Sequence, residues 1–177
     1  SRRLTPVVTG SAVLALLGFI ASGSFIYYNT NILNQKLSSL DVEEASANYE
    51  KAYKQYEDLE LPEVVALYTE VDIFPQRQEA RIHGRYTLEN KQATTISELH
   101  FTIPPALTIE QFDIPNSRQT HSDGDLGYYI YQLDSPLRPG ATLEVSFTLD
   151  WLTPGFVNNS PNTRLLSSGT FFNNFET

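Results

Sequence analysis

Cysteine and methionine are both absent from the 177 residues. Without Cys there is no disulfide framework, no thiolate zinc site and no thiol nucleophile. Without Met there is no initiator residue, so a chain beginning at Ser1 reads as processed or excised. The aromatic run from Phe171 to Phe175 is unlike a polar tail, and both ends are expected to be cuts. Basic residues are scarce: 12 Lys+Arg stand against 21 Asp+Glu, a net charge of −9. That balance argues against a phosphate-backbone binder, which needs clustered cations to release counterions. The length suits one ordinary domain with an appendage.

Charge is missing altogether between Arg3 and Lys36. Val7 to Tyr28 is apolar over a length that matches the roughly 20 residues needed to cross a bilayer core. Gly10, Gly18 and Gly23 suit a membrane helix better than a soluble one. Gly18 and Ser22 form a small-x-x-x-small pair, a spacing that also arises by chance. Tyr27 and Tyr28 stand where an interfacial aromatic belt lies. Arg2 and Arg3 precede the span, and Asp41, Glu43 and Glu44 follow it. The positive-inside rule then places Ser1 in the cytoplasm and residues after 35 outside an inner or plasma membrane. The competing reading is a secretory signal peptide with Ala21-Ser22-Gly23 as a loose cleavage site, but the apolar stretch is long for one.

Residues 1–35 carry only Arg2 and Arg3, so the other 142 residues hold 10 basic and 21 acidic side chains, a net of −11. The acidity belongs to the part outside the span, which should stand off from anionic lipid. Residues 36–62 read as a helical stalk. Val42, Ala45, Tyr49, Ala52, Tyr56 and Leu59 follow a 3-4-3-4-3 spacing on one helix face. Asp41 is placed as N-cap with Glu44 three residues on, Glu50 and Lys54 as an i,i+4 pair, and Pro62 as the stop. Under three heptads is short for a coiled coil, which favours a connector packed on the next domain over a self-associating stalk.

Residues 63–177 read as an antiparallel β-sandwich or curved sheet, giving a mainly β fold behind the two helices. Val71 to Phe74 ends a first strand at Pro75. Ile82, Gly84, Tyr86 and Leu88 then alternate with Arg81, His83, Arg85, Thr87 and Glu89. Leu99, Phe101 and Ile103 alternate with Glu98, His100 and Thr102. Leu107 to Ile114 is a shorter strand, Ser122 to Asp125 a turn, and Leu126 to Leu133 a further strand. Leu143, Val145, Phe147, Leu149 and Trp151 form the inward row of the clearest strand. Such alternation fits a sheet with one buried and one wet face. Beyond Pro154 the chain turns polar and loop-like.

The search for chemistry returns few candidates. His83 and His100 are expected on outward strand positions and His121 in a loop. His83 and His100 facing each other, with Glu98, is the one metal arrangement to weigh, and solvent-exposed strand histidines explain it better. Asp123-Gly124-Asp125 lacks the ligand series of a calcium loop and reads as a hairpin turn. Tyr128, Tyr129 and Tyr131 could stack on a sugar or a peptide, but on a strand they are expected to divide between core and surface faces. No H-E-x-x-H, G-x-S-x-G, Walker loop or G-x-G-x-x-G occurs. No catalytic, cofactor-binding or metal residue is assigned.

The run Tyr28-Asn29-Thr30-Asn31-Ile32-Leu33-Asn34, followed by Tyr49-Glu50-Lys51-Ala52-Tyr53-Lys54, resembles a junction in a bacterial family. That family fuses an ABC-type transporter permease to an aminopeptidase N-like zinc peptidase module. Val71-Asp72-Ile73-Phe74-Pro75 with Gly84-Arg85-Tyr86-Thr87-Leu88-Glu89-Asn90 resembles the opening of the aminopeptidase N-like β-domain. Leu137-Arg138-Pro139-Gly140 and the strand to Trp151 are similar to its later strands. Gly155-Phe156-Val157-Asn158-Asn159 and Gly169-Thr170-Phe171-Phe172-Asn173-Asn174 resemble the fusion family's own signatures. The family's exopeptidase motif G-x-M-E-N and its H-E-x-x-H are both missing, so no zinc or catalytic residue carries over. The resemblance implies a non-catalytic anchoring and β-scaffold portion, with zinc in a peptidase domain elsewhere in the parent. Its partners are the bilayer through 7–28 and the remaining permease and peptidase parts, and no nucleic acid. The second function class is a membrane-anchored β-sandwich that binds peptide or glycan through its wet face or loops 154–174.

Overall fold

The computed structural model describes residues 6–34, 39–156, 165–166 and 168–170. The described residues fall into two compact units, 6–34 with 154–156, and 39–153 with 165–166 and 168–170.

In the first unit, α1 (Pro6–Tyr27) is a single apolar helix that continues as a π-helical turn, Tyr28–Leu33. The 28-residue stretch Pro6–Leu33 is long and apolar enough to cross a membrane. None of α1 is buried, as suits a helix whose solvent is lipid. The wider π turn frees carbonyls of the preceding turn, and polar side chains take them up. Asn29 Nδ2 donates to the Phe25 carbonyl at 2.9 Å, Thr30 Oγ1 to Ile26 at 2.9 Å and Asn31 Nδ2 to Tyr27 at 3.2 Å. Asn34 Nδ2 reaches the carbonyls of Pro154 at 2.8 Å and Phe156 at 3.2 Å. The Phe25 and Phe156 rings lie 5.8 Å apart. Asn29 and Thr30 are buried by these contacts.

The second unit opens with α2 (Ser39–Tyr53) and a 3-10 turn, Lys54–Tyr56. The helix is shorter than the spacing suggested. Asp41 is not its N-cap but lies in the first turn, where its charge still favours the helix dipole. The strands are β1 (Glu63–Phe74), β2 (Glu79–Glu89), β3 (Ile96–Thr102), β4 (Leu107–Asp113), β5 (Ser117–Asp123), β6 (Tyr128–Leu137) and β7 (Thr142–Trp151). A further short pair joins β8 (Leu165–Leu166) to β9 (Gly169–Thr170), with Leu165 buried.

All pairings are antiparallel. One sheet has the order β1-β2-β7-β4 and another the order β3-β6-β5. The core lies between them: Leu88 and Val145 come from the first sheet, Leu99, Tyr131, Leu133 and Leu137 from the second. Val145 and Leu99 are almost wholly buried, as the alternation of β7 and β3 requires. Phe101 bridges the sheets, 5.0 Å from the Phe112 ring and 6.2 Å from that of Tyr86. Gly84 pairs with Phe147, and the ring lies where a Cβ at 84 would stand. Glycine is required there because an aromatic side chain packs on bare backbone.

Two strand expectations need correction. His121 lies not in a loop but in β5, a strand whose polar sequence hides its period. The outer face of β3 and β6 is wet only in part, because the helical segment covers Tyr128 and Ile130 while Glu98 and Thr102 stay accessible.

Candidate functional site

The covered face holds the densest cluster of polar and aromatic groups among the described residues. Three tyrosines of the helical segment, Tyr49, Tyr53 and Tyr56, follow a 4-3 spacing that sets them on one side. They descend on Tyr128 and Ile130 of β6. Tyr53 stacks on Tyr128 with ring centroids 3.9 Å apart and planes 20° from parallel. Tyr49 meets Tyr128 edge-on at 5.9 Å. The stripe expected from spacing contained Ala52, which is exposed, and omitted Tyr53, which is buried. Val42 is also exposed.

Burial of the Tyr53 ring demands a partner for its hydroxyl. It has two: Asp123 Oδ2 at 2.6 Å and His121 Nε2 at 3.0 Å. The single hydroxyl proton goes to the carboxylate, so the hydroxyl oxygen accepts from His121, which fixes the Nε2–H tautomer. Burial, then the bonded carboxylate, pushes the Tyr53 phenol far up. The Tyr53 bond, then the Leu126 amide at 3.0 Å, holds the Asp123 carboxyl below its ordinary range. Burial, with Tyr49 and Tyr56 alongside, pushes Tyr128 up to about 12.

His100 completes the cluster from β3. Its Nδ1 lies 2.8 Å from the Tyr128 hydroxyl and its ring 4.8 Å from Tyr56. The side chain is 3% exposed, against the expectation of a solvent-facing histidine. Among the described residues Nε2 has no hydrogen-bond partner, with Glu98 Oε2 at 3.9 Å. Burial lowers the His100 pKa, opposed by Glu98. Beside the cluster runs an open groove of about 420 Å³ lined by Tyr49, Glu50, Tyr53, Lys54, Tyr56, Glu57 and Tyr128.

Asp123–Tyr53–His121 has the look of a relay, but its ends do not meet an activated nucleophile. Its rings stack on one another rather than framing a cleft. Chemically it is a latch: charge-assisted hydrogen bonds inside an aromatic pack that fasten α2 to β5 and β6. The Asp123–Asp125 turn serves it, with Asp123 bonded to Tyr53 rather than turned out towards a cation.

The histidine pair weighed for a metal is not assembled. His83 stands on β2 in the four-stranded sheet and His100 on β3 in the other. His83 Nδ1 lies 3.1 Å from Thr148 Oγ1, and its Nε2 is 3.9 Å from Asp72. Among the described residues no three His, Asp or Glu side chains come together as a metal site. Tyr129 and Tyr131 face the core between the sheets as expected, whereas Tyr128 takes the opposite face but is buried there under the helical segment rather than lying at the surface. Loops 154–174 lie largely outside the described residues, as do most of the 155–159 and 169–174 signatures.

The outer face of the four-stranded sheet is a lattice of charge. Arg81 donates to both oxygens of Asp150, each at 2.7 Å. Asp150 is buried at this outward position because the guanidinium covers it. The paired guanidinium draws the Asp150 carboxyl down, and Asp150 raises Arg81 in turn. Arg85 approaches Glu144 at 3.9 Å and lies over the Tyr68 ring.

Neither a family model nor a curated protein sequence matches this chain.

Proposed function

We propose that this chain is the non-catalytic, membrane-anchoring and β-scaffold portion of a membrane-tethered protein, an aminopeptidase-like module fused to an ABC-type permease. The observation that supports the reading best is α2 itself. The helical segment that follows an apolar helix of membrane-spanning length is clamped to a β-sandwich by the Tyr53–Asp123–His121 latch. A helix fastened in this way moves with the sandwich rather than swinging as a separate tether. The order of the motifs that resemble the fusion family supports the same reading. In it, the N-terminus is cytoplasmic, the sandwich is extracytoplasmic, and zinc belongs to the parent's peptidase domain.

The absence of Cys makes the test clean. Ala93→Cys, at an exposed position of the β2–β3 connection, is expressed in a bacterial host. The expected result is a product that resists alkaline extraction from membranes and reacts with an impermeant maleimide on intact spheroplasts. Release by alkali, or labelling only after lysis, overturns the reading.

A further inference from the structure

Among the described residues β1 is a long edge strand, bulged only near its start. It is 12 residues long, about 40 Å at the rise of a strand, and every residue in it is exposed. Val64 is 59% exposed, Leu67 60% and Tyr68 58%. Its one irregularity is near the start, between Val64 and Ala66. The opposite edge, β4, is shorter and is bulged in its middle, between Ile109 and Gln111. Edges left flat, long and apolar pair with other strands.

The register assigns each β1 side chain to a face. Leu67, Val71 and Ile73 pair with Tyr86, Ile82 and Ala80, on the side that carries the core. Tyr68, Glu70 and Asp72 pair with Arg85, His83 and Arg81, on the charged side. The cations opposite are already engaged: Arg81 is given to Asp150, and Arg85 lies over Tyr68 near Glu144. β1 itself holds Glu63, Glu70 and Asp72 and no basic residue. Lys91 answers Glu63 at 2.8 Å and the His83 imidazole stands 3.9 Å from Asp72, so the acidic demand at 70 and 72 is met by no lysine or arginine pair among the described residues.

We propose that the free edge of β1 takes an added extended strand in which apolar and basic residues alternate. The apolar set covers Leu67, Val71 and Ile73, and two cations spaced i,i+2 meet Glu70 and Asp72. Backbone bonds along the edge supply affinity, and the alternation supplies specificity. A second copy is the poorer occupant. Antiparallel self-pairing with faces matched and centred on 70–72 sets carboxylate against carboxylate, which destabilises a cross-strand pair. The inference stands apart from the anchoring role, because it needs only the sandwich.

The test uses the full chain in detergent micelles and a capped nine-residue peptide alternating valine and lysine. Expected is saturable binding with amide shifts concentrated in 63–74. A valine–glutamate peptide should bind at least about tenfold more weakly, and the fully N-methylated valine–lysine peptide should not bind. Leu67→Lys and Val71→Lys, both at exposed positions, should each weaken the lysine peptide. Equal binding of the two charges, shifts away from β1, no binding at all, or β1-dependent dimers in sedimentation overturn the proposal.

Discussion

The Tyr53 hydroxyl lies 2.6 Å from Asp123 Oδ2, and this bond joins α2 to the end of β5. Tyr53→Phe keeps the stack on Tyr128 but leaves a carboxylate and an imidazole without their shared partner. The expected loss is about 1–3 kcal/mol in urea unfolding of the sandwich. Tyr53→Leu should cost more, since it removes the stack as well.

Acid should weaken the unit in two steps. His100 is held neutral by burial, so its folded pKa lies below the ordinary 6.5. Its contribution is complete above 6.5 and is lost as pH falls below that value. The groups around the ring are the Tyr128 hydroxyl on β6, Tyr56 on the 3-10 turn and Glu98 on its own strand. His100→Asn, which keeps a partner for Tyr128 and does not titrate, should flatten this first step. Asp123 and Asp150 have lowered pKa values, so their contribution is present above the ordinary 3.8 and disappears as pH falls through their folded values. Urea midpoints recorded from pH 8 down to about pH 1 check both steps.

Much of the sandwich was legible in the residues. Pro75, Pro115 and Pro139-Gly140 break the chain where strands end, and β2 and β7 alternate without interruption, as β3 does from Glu98 on. β5 was not legible because Arg118, Gln119, Thr120, His121 and Ser122 show no apolar period. The latch was missed for a related reason. Tyr53 and Ala52 are neighbours, and a 3-4 count that admits alanine as apolar selects the wrong one. The 4-3 spacing of Tyr49, Tyr53 and Tyr56 was the available signal, since only the large rings bury enough area to orient the helix. Sequence also placed His100 in solvent, because alternation reports the face of a strand and not what a helix later lays on it.

Gly84 and Phe147 should be coupled. Gly84→Ala puts a methyl into the ring of Phe147 and is expected to cost about 1–3 kcal/mol. Phe147→Leu opens that space, so the double variant should be more stable than the sum of the single effects. Thermal unfolding of the four proteins in the cycle measures it.

The Arg81–Asp150 pair should respond asymmetrically. Arg81→Met strands a buried carboxylate, whereas Asp150→Asn leaves a guanidinium that water can reach. The arginine variant should be the less stable of the two in urea at pH 7. The reverse order would mean that the carboxylate is solvated.

A charge in the middle of α1 should abolish anchoring. Leu16→Arg adds about 2.5–3.5 kcal/mol to insertion of a helix centre. The variant is expected in the alkali-soluble fraction, with the sandwich intact by circular dichroism.

The central claim is that α2 belongs to the sandwich, so the helix after the apolar span cannot swing free of it. Hydrogen–deuterium exchange of the full chain in micelles tests this most directly. Amides of 45–53 should exchange as slowly as the core amides of Leu99 and Val145, and Tyr53→Phe should speed the helix and the core together. Fast exchange throughout α2, with the sandwich fully protected in the unaltered chain, would contradict it.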